Sequence, residues 1–193
     1  TLNYASTQDL KVALVTGSAR RIGAAIAKCL HQAGYSIAIR YDQSHQEAAD
    51  LCTELNVQRA NSARLFQKNF SIPPVGFIQE VFTWHSRLDL LVNNASIFIK
   101  SKHDYDSSLW QKLFTVNTEA PFVLSTEAFP ILKKTQGQII NITDIHATIP
   151  LKDYSIYCQS KAALWMQTKI LAKEFAPDVR VNAIAPGAIA WPE

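Results

Sequence analysis

Short runs of consecutive apolar residues alternate along this chain with longer stretches in which apolar positions recur three and four residues apart. Residues 12–15, Val-Ala-Leu-Val, are the first such run; having no polar side to offer, they predict a strand covered on both faces. A turn over residues 16–23 leads into a helix marked by Ile22, Ala25, Ile26, Ala27 and Leu30 and closed at Gly34, a residue suited to the left-handed position after a helix. Residues 36–40 predict a second strand, and Ser44 with Glu47 three positions on predicts a capping box for a helix reaching about Leu55. Residues 63–67 read as the third strand. Beyond Pro73-Pro74, the positions Val75, Ile78, Val81 and Phe82 mark an amphipathic helix that precedes a fourth strand at 88–92. Residues 97–108 are polar and irregular, as a loop would be. Helix follows over 109–134, restarting near Thr118 because Pro121 suits a first turn and not a helix middle, and closing at Gly137. A fifth strand at 138–142, a helix to about Phe175 and a sixth strand at 179–184 complete the pattern.

Strands alternating with helices imply an α/β fold with a parallel sheet. Six strands and five covering helical regions predict a Rossmann-type doubly wound sheet in the order 3-2-1-4-5-6. At 193 residues without internal repeat or linker, residues 1–193 are expected to form a single domain. Composition adds exclusions rather than a function. Hydrophobic residues make up 48% and charged residues 18%, values of an ordinary globular protein. The net charge is only +3, and basic residues are scattered apart from Arg20-Arg21, which argues against nucleic acid as a partner. Three cysteines, Cys29, Cys52 and Cys158, show neither paired nor metal-ligating spacing, so no metal site is expected and a reducing, cytoplasmic location fits. The first ten residues lack a leader pattern and no apolar run is long enough to span a bilayer, so no membrane association is expected.

Chemistry concentrates between Ile139 and Lys161. Tyr157 and Lys161 stand one helical turn apart on the same face, where an ammonium can stabilise a phenolate and bring a proton donor toward neutral pH. The spacing alone equally suits an ordinary amphipathic helix. Asp144 lies just past the fifth strand, at the edge where parallel sheets bind ligands; as a structural residue it would cap the next segment. The turn Thr16-Gly17-Ser18-Ala19-Arg20-Arg21-Ile22-Gly23, between a first strand and a helix, suits the phosphates of a dinucleotide, although it has two glycines where the fingerprint has three. Arg40 at the end of the second strand, with Arg20 in the turn, favours the 2′-phosphate of NADPH over the 2′-hydroxyl of NADH. Asp42 follows at once with the opposite preference, and a solvated strand end is the alternative for Arg40. His146 reads as a surface loop side chain and Cys158 as packing.

The turn at 16–23, Asn93-Asn94-Ala95, Asn117, Tyr157-x-x-x-Lys161 and Pro186-Gly187, in this order over nearly the whole chain, resemble the short-chain dehydrogenase/reductase family. The resemblance implies that Tyr157 donates a proton, that Lys161 lowers its pKa and bonds the nicotinamide ribose, and that Asn117 holds a water of the proton relay. It further implies that Gly17, Arg20, Arg21, Ile22, Gly23, Arg40, Ser44, Asn94, Ala95, Ser96, Pro186 and Gly187, with Tyr157 and Lys161, contact the cofactor. Two departures narrow the expectation: Arg21 replaces the second glycine of the family's turn, and Asp144 replaces the serine that precedes the tyrosine. Both are similar to the pteridine reductases, whose pattern implies that Arg21, Ser96, Phe98, Asp144 and Tyr157 contact a pterin and that Phe98 stacks on it. Asn69 stands where the family usually bonds the adenine amine through an aspartate. Protonating a ring nitrogen as hydride arrives also suits a carboxyl that keeps its proton in an apolar site. The expected activity is therefore NADPH-dependent reduction of dihydrobiopterin- or dihydrofolate-type pteridines; the alternatives are a carbonyl reductase of the same family and a catalytically silent cofactor-binding interaction protein. The resemblance also implies a homo-oligomer, commonly a tetramer, built through the helices after strands four and five, and a C-terminal substrate-covering segment that is apparently missing here.

Overall fold

The computed structural model describes residues 10–101 and 103–189. Lys102, the N-terminal stretch and the end at Trp191-Pro192-Glu193 lie outside the described residues. Six parallel strands form one sheet: β1 (Lys11–Thr16), β2 (Tyr35–Tyr41), β3 (Ala63–Gln67), β4 (Leu90–Asn93), β5 (Gln138–Ile142) and β6 (Arg180–Ile184). Their order is β3-β2-β1-β4-β5-β6, the expected doubly wound arrangement with its switch point between β1 and β4. Alternate residues of β1 serve opposite layers. Val12 and Leu14 pack with Phe77, Val81, Leu124, Leu132 and Leu171 on one face. Ala13 and Val15 pack with Ala27, Leu51 and Leu55 on the other. The covering helices are α1 (Arg21–Gln32), α2 (His45–Gln58), α3 (Phe77–His85), α4 (Ser107–Phe114), α5 (Ala120–Thr135) and α6 (Ser155–Glu174). None of the described helices is long and apolar enough to cross a membrane.

Several boundaries differ from the sequence expectation for identifiable reasons. β4 starts at Leu90 rather than at residue 88, and the Asp89 carboxylate takes the Val12 N–H at 2.8 Å while chelating Arg87. The loop after β4 ends earlier than expected because Asp106 caps α4 through the Leu109 N–H at 3.0 Å. The expected break in the helical region is a π-turn at Thr115–Glu119, after which Pro121 occupies the first turn of α5. α5 ends with Gln136 in the left-handed conformation, and Gly137 follows because a Cβ there would lie 2.5 Å from the Asp89 carbonyl oxygen. The Ser44–Glu47 capping box does not form: Ser44 makes no side-chain cap bond, and Glu47 turns to Arg20 at 3.8 Å.

Candidate active site

The loops at the C-terminal ends of β1, β4 and β5 converge on one edge of the sheet. The turn after β1 is a tight cradle. Gly17 adopts φ +64°, and a Cβ on Gly23 would lie 2.1 Å from the Gly17 carbonyl oxygen. Asn94 braces the cradle from β4, its Nδ2 donating to the Thr16 and Gly17 carbonyls at 2.9 and 3.1 Å. Thr16 Oγ1 accepts from the Asn94 and Ala95 N–H groups in return. The N-terminus of α1 thus opens beside Arg20 and Arg21, and bare glycine backbone with a helix dipole is what a dinucleotide phosphate requires. The residues present therefore fit a nicotinamide dinucleotide.

Two adjoining cavities share Arg20, Arg21, Asn94 and Ser96. One, of about 340 Å³, is also lined by Ile22, Gly23, Phe98, Asp144, Tyr157, Lys161, Pro186 and Gly187. The other, of about 460 Å³, is completed by Gly17, Ser44, Ala95, Tyr41, Asp42 and Gln43. Most of the expected contacts therefore meet at one edge. Arg40 does not. Its side chain is 5% exposed, and on β2 it shares the face of Ala38, opposite Ile37, Ile39 and Tyr41. The guanidinium lies 3.6 Å over the Phe70 ring and bonds the Lys68 carbonyl, lining neither cavity, and burial lowers its pKa to about 10. The structure thus does not bring Arg40 to the expected phosphate contact; the second cavity is instead faced by Arg20, Arg21 and Ser44, with Asp42, Gln43, Asn94 and Ser96 also on its wall. Asn69 spends its Oδ1 on the Ser71 N–H at 2.7 Å.

Asn117 directs its side chain to protein partners. It is fully buried, with Oδ1 accepting from Ser96 Oγ and the Ile97 N–H and Nδ2 donating to the Ile97 carbonyl and Ser160 Oγ. All of its side-chain hydrogen-bonding positions are taken within the protein. Its role in this geometry is to tie the π-turn and the loop after β4 to α6. Ser160 extends the tie by donating to the Tyr157 carbonyl at 2.7 Å.

Asp144 acts as both cap and site residue. Oδ1 accepts the His146 N–H at 2.8 Å at the start of a short 3₁₀ turn, Ile145–Ala147, which fixes the carboxylate plane. Oδ2 accepts from Tyr157 Oη at 2.6 Å. The His146 ring is turned away, its Nδ1 2.9 Å from the Ile149 carbonyl oxygen. Lys161, 3% exposed, donates to the Ile142 carbonyl at 3.1 Å and stands 5.8 Å from the Tyr157 ring centre. The expected lowering of the Tyr157 pKa is not what this arrangement produces. Burial, and next the bond to and charge of Asp144, push the phenol well above its usual value, because a phenolate would be dehydrated beside a carboxylate. Burial lowers Lys161 to about 8, against a smaller opposing pull from Asp144.

Phe98, 55% exposed, meets the Tyr157 ring edge-on at 4.7 Å. It is also stacked on Tyr154, with ring centres 4.2 Å apart and planes 12° from parallel. Tyr154 was not singled out by the sequence reading; its signal is the three-residue spacing to Tyr157 at the entry to α6. Cys158 packs in the small apolar cluster around Leu113, Ile156 and Tyr157. Among the described residues, no group of three or more His, Cys, Asp or Glu gathers as metal ligands would.

A family model for the short chain dehydrogenases matches residues 11–192. The chain is 36% identical over 188 residues to an uncharacterized oxidoreductase, YohF, of Escherichia coli (strain K12), covering 94% of this chain and 74% of that protein. It is 31% identical over 224 residues to pteridine reductase 1 of Leishmania tarentolae, covering 94% and 78%. Among solved structures, acetoin dehydrogenase YohF from Salmonella typhimurium superposes with a TM-score of 0.89 at 34% identity, covering 94% of this chain and 74% of that one. Acetoin dehydrogenase from Enterobacter cloacae gives 0.90 at 35%, covering 97% and 75%. With the family model matched over residues 11–192 and relatives 31–36% identical over nearly its whole length, the chain belongs to the short-chain dehydrogenase family of oxidoreductases.

Proposed function

We propose that the protein is an NADPH-dependent pteridine reductase. The observation that carries this reading is the 2.6 Å bond from Tyr157 Oη to Asp144 Oδ2 in the cavity lined by Arg21 and Phe98. A bound nicotinamide supplies the hydride. Tyr157 and Asp144 hold a proton between two oxygens beside the reacting ring, which suits delivery to a ring nitrogen as the adjacent carbon is reduced. Lys161 holds positive charge under the pair, Phe98 offers a flat face to the heterocycle, and Ser96 contributes a hydroxyl at the shared wall. Asn117 serves by holding the loop and α6 in place. NADPH is favoured by Arg20 with Ser44, whose hydroxyl is not used as a cap and lies at the N-terminus of α2, where an anion is stabilised; Asp42 acts against it. A homo-oligomer, a tetramer by resemblance, is supported by Phe122, Met166 and Ile170, which present apolar side chains to solvent on α5 and α6. A cytoplasmic location is supported by the three cysteines, all free.

The second reading, a reductase of small diketones or hydroxyketones, is favoured by the likeness to acetoin dehydrogenase structures. Cofactor oxidation followed with dihydrobiopterin and dihydrofolate against diacetyl and acetoin, each with NADPH and NADH, separates the two. Turnover of the pteridines with NADPH is expected, and turnover of carbonyl compounds alone would sink the pteridine reading.

Arg21 supplies an independent check. Its φ of +52° places a non-glycine residue in the left-handed region, a strain of roughly 1 kcal/mol. Arg21→Gly is expected to melt no lower than the parent while the KM for pterin rises about tenfold, a loss in the range of one charge-assisted hydrogen bond. Thermal melting with steady-state kinetics measures both, and an unchanged KM would remove Arg21 from the substrate contacts.

A further inference from the structure

The stretch after β4 carries Phe98 into the cavity yet has no regular structure between Asn94 and Asp106 among its described residues. Ser101 ties it down. This residue is 7% exposed; its N–H donates to the Asp153 carbonyl at 2.8 Å, and its Oγ lies 2.9 Å from Ser155 Oγ and 3.5 Å from the same carbonyl. Asp153 and Ser155 belong to the turn that enters α6. That turn is closed by the Tyr154 N–H on the Leu151 carbonyl at 3.2 Å and holds Asp153 at φ +68°, a conformation that non-glycine residues adopt only where surrounding contacts enforce it. Between the two contact residues sits Tyr154, the ring on which Phe98 stacks. The clamp and the stack therefore join the same two segments, 52 or more residues apart in sequence.

We propose that Ser101 is a positioning residue for substrate selection: by clamping the loop after β4 to the entry turn of α6, it sets Phe98 flat against Tyr154 and favours planar heteroaromatic substrates over aliphatic carbonyls. Phe98 is more than half exposed; Asn117 holds Ile97 just before it and the clamp holds the loop just after it, so without the clamp only the ring contacts with Tyr154 and Tyr157 would restrain it on that side. Ordering that side chain anew in each encounter would weaken binding of any substrate that must stack on it. A small diketone does not depend on the stack and would be indifferent. The inference rests on the pteridine reading of this cavity.

The test uses Ser101→Ala, which keeps the main-chain bond and removes the hydroxyl, and Ser155→Ala, which removes the same contact from an exposed position. Each is expected to lower kcat/KM for dihydrobiopterin about fivefold, the equivalent of one neutral hydrogen bond, acting through KM. NADPH affinity and kcat/KM for diacetyl are expected to stay at the parent values, and the double variant to lose no more than either single one. Equal losses on both substrates, additive losses, or an unaltered ratio overturn the proposal. If the parent enzyme reduces no pterin, the proposed function fails on its own. The clamp is then judged by the ratio between an aromatic and an aliphatic carbonyl substrate, where an unchanged ratio overturns it.

Discussion

Asp144→Ser is expected to lower turnover of dihydrobiopterin by roughly 100-fold or more, the usual contribution of a positioned general acid, while leaving NADPH affinity unchanged. The substitution is selective because the two carboxylate oxygens have separate tasks. Oδ1 caps the short turn through the His146 N–H, a task that serine can perform, so the backbone at residues 145–147 should hold. Oδ2 accepts from Tyr157, and that hydrogen-bonded phenol-carboxylate pair is what serine cannot reproduce. Carbonyl reduction needs one hydrogen-bond donor and one proton source, so activity on diacetyl should survive. The phenol itself should change in a defined direction. Burial is the first cause of its raised pKa and Asp144 supplies the remaining main ones, so removing the carboxylate lowers it. The alkaline limb of the rate profile for diacetyl should accordingly move to lower pH. Parallel kinetics on the two substrates with a calorimetric NADPH titration checks all three outcomes, and pterin turnover within a few-fold of the parent would remove Asp144 from proton delivery.

What the sequence could disclose depended on whether one residue's neighbours were local. Tyr157 and Lys161 share a helix face by spacing alone, and the all-apolar strands with helices between them leave few sheet topologies, so fold and site edge were both legible. Arg40 was not. Its strand is apolar on both sides, and only the packing of Ile37, Ile39 and Tyr41 in one layer and Ala38 in the other shows that residue 40 faces Phe70 rather than the cofactor edge. The fate of Asn117 was equally hidden, because its four partners come from Ser96, Ile97 and Ser160, brought within reach by a π-turn that a 3.6-residue period cannot reveal. Asp144 illustrates a third case: a cap and a site residue were posed as alternatives, and its two oxygens bond the His146 N–H and the Tyr157 hydroxyl at once.

Lys161→Met is expected to abolish turnover, by at least about 100-fold, and to remove a pH dependence of stability that the parent carries. An ammonium at 3% exposure is expensive to keep charged; the drop from 10.5 to about 8 corresponds to a cost of about 3 kcal/mol. Below pH 8 both native and unfolded chains hold the proton and that cost is present in full. Between pH 8 and 10.5 the native chain has released it while the unfolded chain still binds it, so unfolding takes up a proton and stability rises with pH. Tyr157 works the other way above pH 10, since the native phenol keeps a proton that the unfolded one loses. The parent should therefore gain stability from pH 8 to about 10 and lose it beyond. Methionine is of similar length and carries no charge, but it leaves the Ile142 carbonyl without the donor that Lys161 gave it, at about 1–3 kcal/mol. The variant should accordingly melt close to the parent at pH 7 and show no rise toward pH 10. Denaturant titrations of both proteins at pH 7, 8, 9 and 10 measure this directly, and a parent whose stability is flat or falling across that range would mean that Lys161 is not held as a costly buried charge.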